Sequence, residues 1–408
     1  MESDMRSRVH FYELSSGLRE GAMVRVEGGA MTLKGRQERA SFAKDLTRQK
    51  HLRETDSTGT LPQLIRSDSM NRNGTLLLTR RDVASLLTIE DCTAAVERAF
   101  KMHGEGQTQP PGVLGIHARE GGFHIKAGIL ELDRSYFAAK VNANFPQNAK
   151  RFGLPLIQGV IVLSDAEDGY PLSVMDSIEI TIQRTGAATA VAAKYLARPD
   201  SRTLTIVGCG NQGRVSLIAL AKLFAFEVVF AYDVVRGQSQ RFADELSAGS
   251  SLRVVAVETL ADALKGSDVV VTCTPSKQAF VRREWIRPGT FIAAVGADNE
   301  DKQELEPELL AQNKTVVDVL EQAATIGDTH HAIASGVMKK NDVHAELGEC
   351  VAGDKTGRTS TEEITIFDST GMALQDVIVA AAVYEKAVAE GLGRLIDFGS
   401  QNTKASAA

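Results

Sequence analysis

Lys140 interrupts the apolar run FAAKVNANFP, and Arg184 interrupts the helical stretch TIQRTGAATAVAA. Asp298 follows the apolar run Phe291 to Val295, just past Gly296. A lysine inside a strand-like run either snorkels to water or points into a polar cleft. An arginine on an apolar helical face needs an anion if it is buried. A carboxylate at a strand end is either a cap for the next helix or an acid–base group. Hydride transfer to or from an amino acid has three requirements. A cation must hold the α-carboxylate, a group must manage the amine proton, and the α-carbon must sit over a nicotinamide. Lys140, Arg184 and Asp298 have the residue types for the first two. Ser369, in FDSTG, also follows an apolar run and precedes a helical one. It reads first as a helix cap and second as a contact to substrate or nicotinamide.

The third requirement has a site of its own. TIVGCGNQGR places Gly208, Gly210 and Gly213 in the G-x-G-x-x-G spacing, with Asn211 and Gln212 inside the loop. The glycines allow a tight turn and let backbone N–H groups approach a pyrophosphate at a helix N-terminus. Asp233 lies 20 residues after Gly213, at the end of VVFAYD. A carboxylate there accepts bonds from the adenosine ribose and repels a 2′-phosphate, which favours NAD over NADP. Nearby Arg236 keeps NADP open. Thr274, in TCTPS, is placed at a strand end that would face ribose or nicotinamide.

These residues need elements to carry them. From Arg202 onward the apolar runs TLTIVG, EVVFAYD, RVVAV, DVVVTCT, TFIAAVG, TVVDV and EITIFD alternate with helical segments. Unbroken apolar strands alternating with helices predict an α/β Rossmann fold, a doubly wound parallel sheet. Earlier, GFHIKAGIL, SYFAAKVNANFP, PLIQGVIVLSD and GYPLSVMDS read as strands joined by Gly, Pro and Asn turns. TIEDCTAAVERAFKMHGEG reads as a helix capped by Thr88, and SIEITIQRTGAATAVAAKYLA as a small-residue-rich helix. The final helix, GMALQDVIVAAAVYEKAVAEG, is expected to return to this earlier part. The division is therefore an α+β substrate and dimerisation domain over 70–198 with 371–398, and an NAD(P)-binding Rossmann domain over 199–370. After Asp298, residues Asn299 to Asp301 are expected to start and cap a helix over KQELEPELLAQ. Residues 1–69, dense in both charges, are expected to form a flexible extension.

Composition narrows the alternatives. The chain has 408 residues, 43% of them hydrophobic and 24% charged, with a formal net charge of −6. That argues against nucleic acid as a partner. Four scattered cysteines form no CxxC pair, and eight histidines form no HExxH, so no metal site is suggested. With no membrane-length apolar run and no visible secretory signal, a cytoplasmic location is expected.

AAKVNANFPQN, GLPLIQGVIVLSDAEDGYPLSVMDS, RTGAATAVAAKYLARPDSRTLTIVGCGNQGR, GADNEDKQEL, DVHAELGECVAG and EITIFDSTGMALQD run in one order over about residues 76–390. Together they resemble the ornithine cyclodeaminase/mu-crystallin family, which includes archaeal-type alanine dehydrogenases and ketimine reductases. The resemblance implies that Lys140 contacts the substrate carboxylate. It places Arg184 between that carboxylate and the cofactor phosphate, with Thr185 beside it. It gives Asp298 the acid–base role at the substrate amine or an attacking water, and puts Ser369 near the nicotinamide. It also implies a homodimer. The chain departs from the family pattern at Gly112, where a basic residue is usual, at His124, where alanine dehydrogenases have arginine, and at Leu156, where threonine is common. Lys126, two residues past His124 and on the same strand face, is placed to replace the lost cation. Gly112 and Leu156 are expected in the substrate pocket. The leading expectation is an NAD(P)-dependent oxidoreductase acting on a small L-amino acid or its imine. The alternatives are an ornithine-type deaminating cyclisation with internally recycled NAD, and a non-catalytic NAD(P)-binding protein.

Overall fold

A computed structural model describes residues 74–248 and 252–398, together with the backbone of Met23–Val26 and Gly29–Thr32. Those two early strands pair antiparallel. They belong to one unit, Met1–Met70, and Asn71–Ala408 forms another. The extension expected over 1–69 otherwise lies outside the described residues.

Runs such as Val269–Thr272 and Phe291–Ala294 contain no polar alternation, so both faces of each must be covered. They sit at the centre of an eight-stranded parallel sheet. Its order is Val254–Ala256, Val228–Tyr232, Thr203–Val207, Val269–Thr272, Phe291–Ala294, Thr365–Asp368, Lys314–Val317, Ala345–Glu346. The chain leaves Thr203–Val207 toward one edge and comes back to its other side at Val269–Thr272. That reversal opens a crevice at the C-terminal ends of these two strands. The glycine loop follows the first strand, and Thr274 follows the second.

The second sheet has seven strands and is mostly antiparallel. Its order is Arg394–Ile396, Thr75–Leu78, Pro171–Asp176, Ile157–Asp165, Ser135–Asn144, Gly121–Glu131, Gly112–Ala118. Here side chains alternate, as a sheet with two different faces requires. Leu130, Ala138, Ile161 and Leu163 are buried on one face. Helices Ser177–Leu196 and Ala373–Glu390 cover that face. The C-terminal helix thus packs against the strands preceding the nucleotide-type sheet, as its apolar face predicts.

Two local expectations are corrected. The stretch KQELEPELLAQ is not one helix. Gln303–Leu305 is a short strand parallel to Lys277–Val281, and a five-residue helix, Pro307–Ala311, follows. Pro307 can open a helix but not sit inside one. Glu304 is extended so that its carboxylate reaches back to the strand ends beside Asp298. Ser369 does not cap the last helix. The N-cap is Met372, and Ser369 instead joins the sheet register, its N–H donating to the Ala294 carbonyl at 2.9 Å.

Candidate functional site

The crevice between the two sheets holds a cleft of about 250 Å³. His124, Lys126, Lys140, Arg184, Thr185, Gln212, Thr274, Asp298 and Ser369 all line it. Residues drawn from separate strands, helices and loops therefore converge, although no spacing in the chain connects them.

The antiparallel sheet supplies the cations. Lys126 and Lys140 are register partners on adjacent strands, as are His124 and Asn142. Both lysines point to the helix-covered face and are buried. Lys126 Nζ donates to the carbonyls of Thr370 and Gly371 at 2.8 and 2.7 Å. Lys140 Nζ lies 2.7 Å from Asp376 Oδ2. Burial draws the Lys140 ammonium down to about 7, against the pull of Asp376. Arg184 enters from the middle of Ser177–Leu196, where its neighbours on the chain are small. Its Nη1 donates to Gln375 Oε1 at 3.1 Å, and its Nε lies 3.4 Å from Asp376 Oδ1. Gly371, at φ 85°, leaves room for both groups. A Cβ there would lie 2.9 Å from Arg184 Nη1 and 3.0 Å from Lys126 Nζ.

The parallel sheet supplies the carboxylate. Asp298 extends from the loop after Phe291–Ala294, with its side chain 52% exposed to the cleft. Lys302 Nζ sits 2.6 Å from its Oδ1. Desolvation pushes the Asp298 carboxyl up, but Lys302 outweighs it, helped by Lys126 and His124, so the net direction is down. His124, half-buried, moves down because burial outweighs the attraction of Asp298.

The loop carrying Asp298 is held by a residue that pattern reading missed. Glu304, fully buried, accepts from Thr274 N and Oγ1 at 2.7 and 2.8 Å, from Thr272 Oγ1 at 2.8 Å and from Gly296 N at 3.0 Å. One carboxylate thus ties together the ends of two adjacent strands. The Thr274 hydroxyl, expected to face the cofactor, is committed to this bond. Asp318 does the same for the third strand end, accepting from Thr370 Oγ1 at 2.6 Å and from the Gly371 N–H. Asp376, Glu304 and Asp318 carried no signal in the sequence beyond being acidic near strand or helix ends.

The glycine loop meets the steric needs of a dinucleotide. Gly208 has φ 101°, and a Cβ on Gly213 would lie 2.3 Å from the Gly208 carbonyl oxygen. A Cβ on Gly210 would meet nothing within 4 Å, so the loop surface is open there. Gly210 is the N-cap of Asn211–Leu220 and leaves the first-turn amides without a side-chain cap. Those amides and the helix dipole suit a pyrophosphate. Asp233 accepts from Cys209 N at 2.9 Å and Val235 N at 2.8 Å, which anchors it beside the loop. Gln212 carries a buried Oε1 with no protein partner among the described residues and faces the cleft. Asn211 points instead to a shallower pocket with Arg80 and Arg214.

Gly112 and Leu156 do not line the cleft, contrary to expectation. Gly112 begins the exposed edge strand, and Leu156 is 47% exposed. Gly112 thus lies on the edge strand and Leu156 in the bend before Ile157–Asp165, and neither is among the residues around the cleft.

Residues 73–391 match the family model described as the ornithine cyclodeaminase/mu-crystallin family. The alanine dehydrogenase of Archaeoglobus fulgidus is 41% identical over 324 residues, covering 79% of this chain and 98% of that protein. A solved archaeal alanine dehydrogenase dimer with bound NAD superposes with a TM-score of 0.76 at 40% identity, covering 80% of this chain and 99% of that one. The Δ(1)-pyrroline-2-carboxylate reductase of Thermococcus litoralis, solved with NADH and L-proline, gives 0.75 at 36% identity, covering 79% and 100%.

Proposed function

This chain belongs to the ornithine cyclodeaminase/mu-crystallin family, and from that premise we propose that it is an NAD-dependent oxidoreductase of a small L-amino acid or its imine. The observation that carries the proposal is one cleft with cations on its floor and an ionised carboxylate at its rim, beside the glycine loop. Gly208, Gly210, Gly213, Asn211 and Gln212 would hold the pyrophosphate, Asp233 the adenosine ribose, and Thr185 the inner part of the dinucleotide. Bound there, the nicotinamide supplies a hydride donor or acceptor.

The chain's own groups do the rest. Lys126, Lys140 and Arg184 grip the substrate carboxylate and fix the α-carbon. Asp298, held ionised by Lys302, is the counter-ion for an iminium and the proton acceptor for an ammonium. Ser369 sits at the end of the neighbouring strand, where it orients substrate or nicotinamide. The same reading assigns 70–198 with 371–398 to substrate binding and dimerisation, and 199–370 to the cofactor. It includes a cytoplasmic site of action, where four unpaired cysteines persist.

A homodimer is part of the proposal. Ile125, Val141 and Val160 are register neighbours on the uncovered face of the antiparallel sheet. Val113, Leu114 and Ile116 on the edge strand are exposed as well. An apolar sheet face and edge of this extent need a partner.

The test is a substrate panel. Pyruvate with ammonium, iminosuccinate and pyrroline-2-carboxylate are each supplied with NADH or NADPH, and loss of reduced cofactor is followed by absorbance. Turnover of at least one imine, faster with NADH, is expected. Conversion of ornithine to proline and ammonia without net cofactor change would replace this reading with cyclodeamination.

A further inference from the structure

The floor of the cleft concentrates three cations around one acid. Lys126, Lys140, Arg184 and Asp376 are all buried, Asp376 to 2% exposure. Buried cations repel one another and lack water, so each needs its own support. Lys126 has two backbone carbonyls, and Arg184 has the Gln375 side chain. For Lys140 the partner among the described residues is Asp376, at 2.7 Å. The acid is equally dependent on the pair. Neither Asp376 oxygen accepts a hydrogen bond from an amide or hydroxyl among the described residues. Its charge is balanced by the cations alone. It stands in the first turn of Ala373–Glu390, where an acid commonly does no more than complement the helix dipole. Here its side chain turns into the cleft floor and lies within 3.4 Å of Arg184 as well.

We propose that Asp376 is a positioning residue for carboxylate recognition: its ion pair favours the charged form of Lys140 and anchors Lys140 and Arg184 side by side under the substrate. The substrate part of this inference rests on the amino- or imino-acid function proposed above. The electrostatic part does not.

Among the described residues, three charged groups face Lys140. Asp376 comes from the C-terminal helix, Arg184 from Ser177–Leu196 and Lys126 from the adjacent strand. Burial, Arg184 and Lys126 all favour the neutral amine, and Asp376 alone opposes them. With the acid gone, Lys140 shifts further toward the neutral amine, and the carboxylate loses more of that cation.

Asp376→Asn keeps the shape and removes the charge. Protein labelled with 13C at lysine Cε, with the Lys140 signal assigned through Lys140→Arg, gives the titration midpoint directly. That midpoint is expected to fall by about one to three pH units in Asp376→Asn, with NADH affinity unchanged. The KM for the imino acid should rise near neutral pH and recover as the pH is lowered through the new midpoint, which a purely structural role would not produce. If Asp376→Asn does not fold, the same coupling is read from the other side. Lys140→Gln should raise the titration midpoint of the Asp376 carboxyl, followed by its 13Cγ shift. An unmoved Lys140 midpoint, or an unmoved Asp376 midpoint in the reciprocal variant, overturns the inference. The two readings separate cleanly. A moved midpoint in a protein that turns over no imino acid removes the function and leaves the ion-pair role standing. Turnover with a static midpoint does the reverse.

Discussion

Among the described residues, Asp298→Asn removes the one acid that lines the cleft, while leaving its size unchanged. The side chain is half-exposed and is ion-paired with Lys302, so the fold should tolerate the change within about 0.5 kcal/mol. Turnover should not tolerate it. A positioned acid–base group contributes roughly 100- to 10,000-fold, equivalent to about 3–5 kcal/mol of barrier. The direction of the Lys302 effect follows separately from the geometry. A cation at 2.6 Å holds the carboxyl down, and half-exposure screens part of that attraction. Asp298 must be ionised to receive a proton. In Lys302→Met its pKa rises, so the acid limb of kcat/KM for amino-acid oxidation moves to higher pH, and activity recovers as the pH is raised. Steady-state rates of both variants across pH, with an NADH fluorescence titration as control, test the pair. The assignment fails if Asp298→Asn keeps more than about a tenth of wild-type kcat/KM, or if Lys302→Met leaves the acid limb in place.

Four further outcomes are expected. Gly210→Ala enters open space at φ −92°, so its Tm should match wild type while NADH binding weakens at least about tenfold, because the methyl group occupies the pyrophosphate's approach. Gly213→Ala, 2.3 Å from a carbonyl oxygen, should lose stability by about 1–3 kcal/mol in urea unfolding as well as NADH affinity. Asp368, buried beside Asp328, is pushed up to about 7, by burial first. A carboxyl raised on folding stabilises below its unfolded pKa, and that stability is lost as pH rises through the folded value. The stability advantage of wild type over Asp368→Asn should therefore shrink between about pH 4 and 7, and thermal melts across that range that stay parallel would contradict the burial argument. Val160→Lys on the open sheet face should shift the protein from dimer to monomer in sedimentation velocity.

The cofactor half was legible because its demands are local. The backbone turn at Gly208, the close approach at Gly213 and the anchor at Asp233 fall within one strand–loop–helix–strand unit, so spacing alone carries the information. Lys140 and Arg184 could be picked out for a different reason. A charge inside an apolar run has to be explained by something. Which way those charges point was not readable, since Lys126 and Lys140 meet only through strand register. Glu304 shows the limit most clearly. KQELEPELL has helical periodicity, and the long-range demand of four donors at two strand ends overrides it. Gly112 and Leu156 fail in the opposite sense. The family resemblance suggested the pocket, but Gly112 falls on the exposed edge strand and Leu156 in an exposed bend before Ile157–Asp165.

The distribution of charge in the cleft explains why the substrate is less legible than the cofactor. Lys126, Lys140, Arg184 and Lys302 face two carboxylates, Asp298 and Asp376. Each acid is already paired, Asp298 with Lys302 and Asp376 with Lys140 and Arg184. The four cations exceed the two acids, and the surplus positive charge lies on the floor, among Lys126, Lys140 and Arg184, which fits an anionic group bound deep with its nitrogen toward Asp298. That fixes the orientation of an α-amino or α-imino acid but not the nature of its side chain. The side chain would extend toward His124, Asn144 and Ile157 at the mouth of the cleft. His124 is the titratable group there, and burial favours its neutral form. A neutral imidazole donates and accepts single hydrogen bonds and does not clamp a second carboxylate as an arginine would. Substrates with a small or weakly polar side chain are therefore favoured at neutral pH. His124→Arg should improve kcat/KM for a dicarboxylic imine relative to pyrroline-2-carboxylate, and an unchanged ratio would show that the side chain does not reach His124.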